Sequence, residues 1–287
     1  MDSIQKKLDD LPDLPTLPHI VVEVNRMMAE QNITVGRMCE TIERDQVMVA
    51  RILKLVNSSF YGFQSQINTV SHAVVILGFQ TMQNAILSVS IIESFNKKKD
   101  VPGFDMTDFW KHSVAVAVIS MKLGEMVKNE NPEVCFTAGL LHDIGKVVLA
   151  QFFPEMFLVV WSALQENRYP TFYAAESDLL ETDHARVGDY LARRWQLPPA
   201  LIDTIRCHHS IKKNMENLAM VRIVHAADIL ANTWQGTLRE KPVLKSMDIG
   251  AKKFVDQQIN TLKNWFPATA EVIRQACKFF LGPAETR

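Results

Sequence analysis

Apolar residues in this chain recur at spacings of three and four, and strand-like alternation is hard to find. A period near 3.6 buries one stripe of a helix and cannot line one face of a strand, so the pattern predicts an all-α protein. Residues 20–28 read as a helix, and a second begins at Thr34 and carries Val35, Met38 and Ile42. A third covers 47–56 and ends in the polar, aromatic turn NSSFYGF. Met82, Ala85, Ile86, Val89 and Ile92 then mark an amphipathic helix packed on a core. Further helices are predicted over 107–126, 132–141, 174–194, 199–207 and 219–233, with a loop over 234–248 and two closing helices over 249–265 and 268–280. NKKKDVPGFD, residues 96–105, collects charge, Pro and Gly between apolar patterns and predicts a lobe boundary. The expected architecture is a two-lobed helical bundle, with a first lobe over about 12–96 and a second over about 105–210. Residues 211–287 are expected to form a C-terminal helical extension completing the second lobe.

Composition removes several functional classes. The net charge of the 287 residues is −1 and the lysine run is confined to Lys97–Lys99, so no basic groove for nucleic acid is expected. Cys39, Cys135, Cys207 and Cys277 are scattered and form no C-x-x-C pair, which argues against a thiolate zinc site and for a reducing compartment. The start, MDSIQKKLDDLPDLP, carries acids and no apolar leader core. No later apolar stretch reads as long enough to cross a bilayer, so the expectation is a cytoplasmic protein with no membrane partner.

Six of the eight histidines fall in one ordered series, His112, His142, His184, His208, His209 and His225, interleaved with Asp143 and Asp228. Imidazole and carboxylate are the ligands that borderline divalent metals take, and burying such a set is costly unless a cation compensates. His142 and Asp143 sit in AGLLHDIGK at the end of an apolar helix, with Lys146 on the same face, where it would lie beside a metal-bound anion. His112 occurs in the apolar DFWKHSVAVAV, with Asp108 one turn earlier. His184 opens an amphipathic helix, and the neighbouring Asp183 is a candidate to fix its tautomer. His208 and His209 follow LIDTIRC in tandem, and Asp228 is an acid inside an apolar helix, where an unpaired carboxylate is expensive. His225, three residues earlier, reads equally well as a hydrogen-bonding residue and is left out of the ligand set. His19 and His72 are isolated, and Arg186, Arg193 and Arg194 read as a solvated helix face. The metal candidates are thus His112, His142, Asp143, His184, His208, His209 and Asp228. All donate nitrogen or oxygen, which suits one or two ions of iron, manganese or zinc.

The order His112, His142-Asp143, Asp228 resembles the H…HD…D signature of the HD superfamily of all-helical, metal-dependent phosphohydrolases. Longer stretches narrow the match: LPTLPHIVVEVNRMM, ARILKLVNSSFYG, NTVSHAVVILG, FWKHSVAVA, AGLLHDIGKVVL, DHARVGDYLARRWQLP and IRCHH. Together they resemble the HDOD domain, a bacterial signalling relative of the HD and HD-GYP domains, over residues 12–210. That resemblance implies an HD-like second lobe and a role in signal transduction. His184, His208 and His209 match additional ligand positions of the catalytic HD-GYP relatives, and Asp108 stands where those relatives can have a further acidic ligand. The Gly-Tyr-Pro segment that defines HD-GYP proteins is absent, and SIKKNMENLAM stands in its place.

Two functions follow as expectations. One is a regulatory module that binds a partner protein, with a metal or a phosphate or nucleotide ligand that is structural or sensed. Its first lobe offers the aromatic NSSFYGF turn. The other is a metal-dependent phosphohydrolase or cyclic-nucleotide phosphodiesterase with a two-ion centre, in which Asp143 and Lys146 serve catalysis. An open pocket with phosphate-binding side chains beyond Lys146 would separate the two.

Overall fold

The computed structural model describes residues 3–30, 33–58, 61–95, 101–235, 247–257 and 259–281. About three quarters of these are helical, and the only extended pairing among them is an isolated bridge between Val101 and Phe104. The chain divides into two compact units, one of residues 1–14 and 98–269, the other of 15–97 and 270–287. The segment after residue 210 is therefore shared between the two.

The unit built on residues 15–97 contains α2 (His19–Ala29), α3 (Val35–Glu43), α4 (Gln46–Val56) and α5 (Val70–Phe95), preceded in the chain by α1 (Ser3–Asp9). Thr34 starts α3 by accepting from the Arg37 amide, and Asp45 starts α4 by accepting from that of Met48. Each thereby satisfies a donor that the first turn leaves without a helical partner. Val24, Met27, Met38, Ile42, Ile52 and Leu55 turn inward from these helices, and α5 packs against α2, α3 and α4.

α5 corrects the expectation that no apolar stretch could cross a bilayer, because by length and hydropathy this helix qualifies. Its backbone explains why it need not. Gly78 takes φ 79° and ψ 167°, a conformation open essentially to glycine alone, and breaks the helix into two pieces. The longer piece, 79–95, spans about 26 Å at 1.5 Å per residue, short of a hydrocarbon core of about 30 Å. Most of its side chains are buried in the protein.

In the other unit α6 (Met106–Gly124) is the central element, with Val114 to Ile119 all fully buried. α7 (Pro132–Leu141), α8 (Ile144–Phe152), α9 (Pro154–Gln165), α10 (Phe172–Leu179), α11 (His184–Arg194), α12 (Pro199–Cys207), α13 (Leu218–Gln235) and α14 (Ile249–Gln257) follow. α7 and α13 pack on α6, and α11 lies between α8 and α12. Asp105, Asn131, Thr171 and Asp183 cap α6, α7, α10 and α11 with their side chains. Pro occupies the first turn of α7, α9 and α12, where its missing N–H costs nothing.

Three boundaries differ from expectation. Residues 174–194 are two helices, α10 and α11, separated at ETD because Asp183 caps a new start. Helices α8 and α9 run through 144–165, a largely apolar stretch in which few polar residues mark the period. At the C-terminus α15 (Ile259–Leu281) starts earlier than expected and runs on through Pro267. Most of the loop expected over 234–248 lies outside the described residues. The four cysteines are buried and unbridged.

Candidate metal centre

Five places in one unit deliver the polar side chains. His112 comes from the first half of α6, His142 follows the last residue of α7, and Asp143 stands at the N-cap position of α8. His184 is the first residue of α11, His208 and His209 follow α12, and Asp228 lies in the middle of α13. Asp143 makes no capping hydrogen bond, so its carboxylate remains available to the histidines. The approach of α11 to α8 depends on Gly145. A methyl group there would lie 2.8 Å from the Gly188 amide nitrogen and from the His184 carbonyl carbon, and closer still to that carbonyl's oxygen.

The structure brings all seven sequence-predicted residues together. Asp143 is at the centre, with its two oxygens facing different neighbours. Oδ1 lies 3.0 Å from His184 Nε2 and 3.4 Å from His208 Nε2. Oδ2 lies 3.3 Å from His142 Nε2, 3.9 Å from His112 Nε2 and 2.8 Å from Lys146 Nζ. Asp228 Oδ1 faces His112 Nε2 at 3.1 Å and His142 Nε2 at 3.8 Å, and His209 Nε2 faces His184 Nε2 at 3.1 Å. Two sets of donor atoms result, Asp143 with His184, His208 and His209, and Asp143 with His112 and His142.

Hydrogen bonds on the far side of the rings fix where the inner nitrogens point. Nδ1 of His142 donates to the Gly139 carbonyl at 2.7 Å, and Nδ1 of His208 donates to that of Ile205 at 2.9 Å. Nδ1 of His184 donates to Glu176 at 2.5 Å. With Nδ1 protonated, a neutral ring presents a bare Nε2 lone pair inward. His184 and His208 then hold two Nε2 atoms 3.3 Å apart. Facing lone pairs repel, so the arrangement calls for positive charge between them. His142 Nε2 and Asp143 Oδ1 are buried and have no hydrogen bond of acceptable geometry, which fits a missing cation.

Proton affinities follow the same demand. Burial opposes a charge on His184, but Glu176 and Asp143 outweigh it and hold the pKa up at about 10. Burial likewise opposes charge on His142, and Asp143 and Asp228 again prevail and raise it. Burial drives His208 down to about 4, and drives His209 well below the ordinary histidine value, helped by His208 and His184. Burial works against the Asp143 carboxylate too, yet His142, Lys146 and His184 keep it ionised. A carboxylate core, two imidazoles competent to carry a proton and two that remain neutral make a set that a divalent ion could complete.

Several neighbours depart from the sequence reading. Asp183, expected to fix the His184 tautomer, caps α11 through the Arg186 amide at 2.8 Å instead. The tautomer partner is Glu176, fully buried, which accepts from both Nδ1 and the backbone N–H of His184. Its place eight residues upstream in AAESDLL gave no periodic signal, and a buried acid in a helix was the only available hint. Asp108 points away from the cluster, 64% exposed and 3.7 Å from Lys111. His225 uses both nitrogens structurally, donating to the His208 carbonyl at 2.6 Å and accepting from the Asp248 amide at 3.0 Å. Arg186 and Arg193 are more than half exposed, paired with Asp183 and Asp189.

A cavity of about 400 Å³ opens beside the cluster. His112, Asp143, Lys146 and Asn232 form its polar floor. Phe104, Phe109, Phe157, Trp161, Leu164 and Phe172 form its walls, and the exposed Asp105 and Asp108 lie toward solvent. Lys146 Nζ, besides its pair with Asp143, lies 5.5 Å over the Phe172 ring.

Known proteins share this framework. An uncharacterized protein of Treponema pallidum (strain Nichols) is 28% identical over 213 residues, 73% of this chain and 39% of the relative. A Ribonuclease Y of Mycoplasmoides gallisepticum is 25% identical over 219 residues, 71% of this chain and 34% of the relative. The chain thus spans little more than a third of the length of these curated relatives. The crystal structure of an HDOD domain protein of unknown function from Geobacter sulfurreducens superposes with a TM-score of 0.75 at 28% identity, covering 93% of this chain and 96% of that one. Residues 14–211, more than half of the sequence, match the HDOD domain, and on that match the protein belongs to the HDOD family.

Proposed function

We propose that this protein is a metal-dependent phosphohydrolase acting on a small phosphoester. The observation that carries the reading is the position of His112, Asp143 and Lys146, which belong at once to the His/Asp cluster and to the floor of an open cavity. Asp143, His184, His208 and His209 would hold one divalent ion, and His112, His142, Asp143 and Asp228 a second. Nitrogen and oxygen donors without thiolate suit iron, manganese or zinc. Such ions would supply a polarised phosphoryl oxygen and a water of lowered pKa. The chain's own groups do the rest. Glu176 orients His184, the Gly139 and Ile205 carbonyls orient His142 and His208, and Lys146 offers its ammonium to a phosphate oxygen at the cavity floor.

An RNA substrate, suggested by the name of one relative, is poorly served by a cavity whose lining carries three carboxylates and one lysine. A second, regulatory reading, in which the ligand is sensed and a partner protein responds, draws support from Val47, Val75 and Ile76. These are 58%, 67% and 43% exposed on the helices of the other unit.

Elemental analysis of protein purified without chelator tests the main reading, with His142→Ala and His208→Ala as comparisons. One or two equivalents of metal in the wild type, lost in both variants, together with release of phosphate from a panel of phosphomonoesters, is the expected result. Full metal with no phosphate release from any ester would leave the sensing role. Absence of metal after both aerobic and anaerobic purification would overturn the proposal.

A further inference from the structure

The walls of the cavity say more about its ligand than the floor does. Phe104 meets Phe157 edge-on, with centroids 5.4 Å apart and planes at 86°. Phe104 and Phe109 are tilted by 40° at 5.7 Å, and Phe157 and Phe172 by 37° at 5.5 Å. Trp161 extends the wall beyond Phe157. Phe157 and Trp161 are nearly parallel, at 10° and 6.3 Å, too close to admit a base between them, and the other rings are inclined to one another, so the wall curves as a bowl. A planar base is held best between parallel faces, whereas a bowl of aromatic surface suits a compact, roughly spherical group.

Charge narrows the choice. Asp105 and Asp108 are both exposed at the outer side, and no arginine lines the cavity among the described residues. Asp105 Oδ1 caps α6 through the Thr107 and Asp108 amides. A polyanion would meet the Asp105 carboxylate and the Asp108–Lys111 ion pair before it reached Lys146. A cation would meet aromatic faces and carboxylates together, the combination by which proteins hold quaternary ammonium groups.

Resting on the phosphoester reading above, we infer that the preferred ligand is a phosphoester whose alcohol carries an organic cation. Its single phosphate would lie at the His112, Asp143 and Lys146 floor, and its ammonium in the bowl of Phe104, Phe109 and Trp161 beneath Asp105 and Asp108. The polarity of the cavity, acidic outside and ready for cations inside, matches a ligand with its positive end outward.

Isothermal titration calorimetry on the full chain, loaded with the metal found on purification, separates this inference from the reading beneath it. The probes are inorganic phosphate, choline, phosphocholine, adenosine monophosphate and 3,3-dimethylbutyl phosphate, in which carbon replaces the quaternary nitrogen. Phosphocholine is expected to bind about tenfold more tightly than its uncharged analogue, a typical worth of a partly desolvated cation–π contact. That preference should vanish in the Asp105→Asn, Asp108→Asn double variant, in which asparagine still caps α6, and in Trp161→Leu. Equal or tighter binding of the carbon analogue, or tighter binding of adenosine monophosphate, would overturn the inference while phosphate binding left the phosphohydrolase reading standing. Binding of choline without any binding of phosphate would overturn both, because the inferred ligand is itself a phosphoester. If neither bound, both would fall.

Discussion

Gly145→Ala is the most searching single-atom test of how the centre is assembled. The added methyl would sit 2.8 Å from the Gly188 nitrogen and the His184 carbonyl carbon, against an ordinary contact of at least 3.4 Å. The shortfall of 0.6 Å is only the lesser part, because the His184 carbonyl oxygen is nearer. All of these are backbone atoms, so no side chain can swing aside. α11 must retreat from α8 by something on the order of 1 Å, a displacement that costs a positioned site about a hundredfold, and it carries His184 with it. Overpacking of this kind costs about 1–3 kcal/mol. Helix propensity returns little of it, since Gly145 lies in the first turn of α8. Spread over a protein of this size the loss corresponds to a fall in Tm of about 2–5 °C. Gly188→Ala is the milder comparison, because its methyl would meet a side-chain atom first, Cγ2 of the buried Ile205 at 2.7 Å, with the Gly145 nitrogen at 3.4 Å and Ile144 Cγ2 at 3.6 Å. In mid-helix the gain of about 1 kcal/mol from replacing glycine should leave that variant close to neutral. Calorimetry and elemental analysis on both variants decide the matter. The expectation is a folded Gly145→Ala protein with lowered Tm and reduced metal, beside a Gly188→Ala protein resembling the parent. Unchanged Tm and full metal in Gly145→Ala would refute the close approach as the determinant of the site.

Three further outcomes follow. Glu176→Gln keeps the shape but removes the anionic acceptor from His184 Nδ1, so metal affinity should fall about 10–100-fold in competition with a chromogenic chelator; an unchanged affinity would show that orientation comes from packing alone. In the metal-free protein the His184 pKa, raised to about 10 from an ordinary 6.5, contributes stability that is complete below pH 6.5 and lost as pH climbs toward 10. The Tm of chelator-treated protein should therefore drop across that window while the metal-loaded form stays flat, and parallel profiles would contradict the assignment. Gly78→Ala meets no neighbouring atom yet should cost about 1–3 kcal/mol in chemical denaturation, because the φ of 79° is closed to a residue with a Cβ; a neutral effect would mean that α5 straightens without penalty.

The helical class was plain in the sequence because amphipathic elements such as α3 and α11 expose one polar face and so reveal their period. α8 and α9 escaped for the opposite reason. α8 is buried nearly all round, and on α9 apolar residues such as the exposed Val159 stand on the outer face as well as the inner, which blurs the signal that amphipathicity provides. The cluster residues were legible because a histidine or aspartate inside an apolar helix must be compensated by something, as His112 and Asp228 are. Glu176 was not, since its relation to His184 arises from the turn between α10 and α11, where Asp183 offered a closer but unrelated acid. Nor could the aromatic cavity be read in advance. Phe104 and Phe109 at the start of α6 and Phe157 and Trp161 on α9 come from two distant segments, and nothing in their local patterns distinguishes a wall from a core.

His225 and Asp228 carry a practical lesson about where this protein can be cut. The stretch that matches the HDOD domain ends at residue 211, seventeen positions before Asp228 supplies the carboxylate facing His112. Over the same boundary His225 reaches back to the His208 carbonyl and forward to the amide that begins α14. A fragment trimmed to the recognisable stretch would retain every signature motif that earns it the family label while missing one wall of its own centre. Inactivity measured on such a fragment would then report the position of the scissors and not the chemistry of the protein.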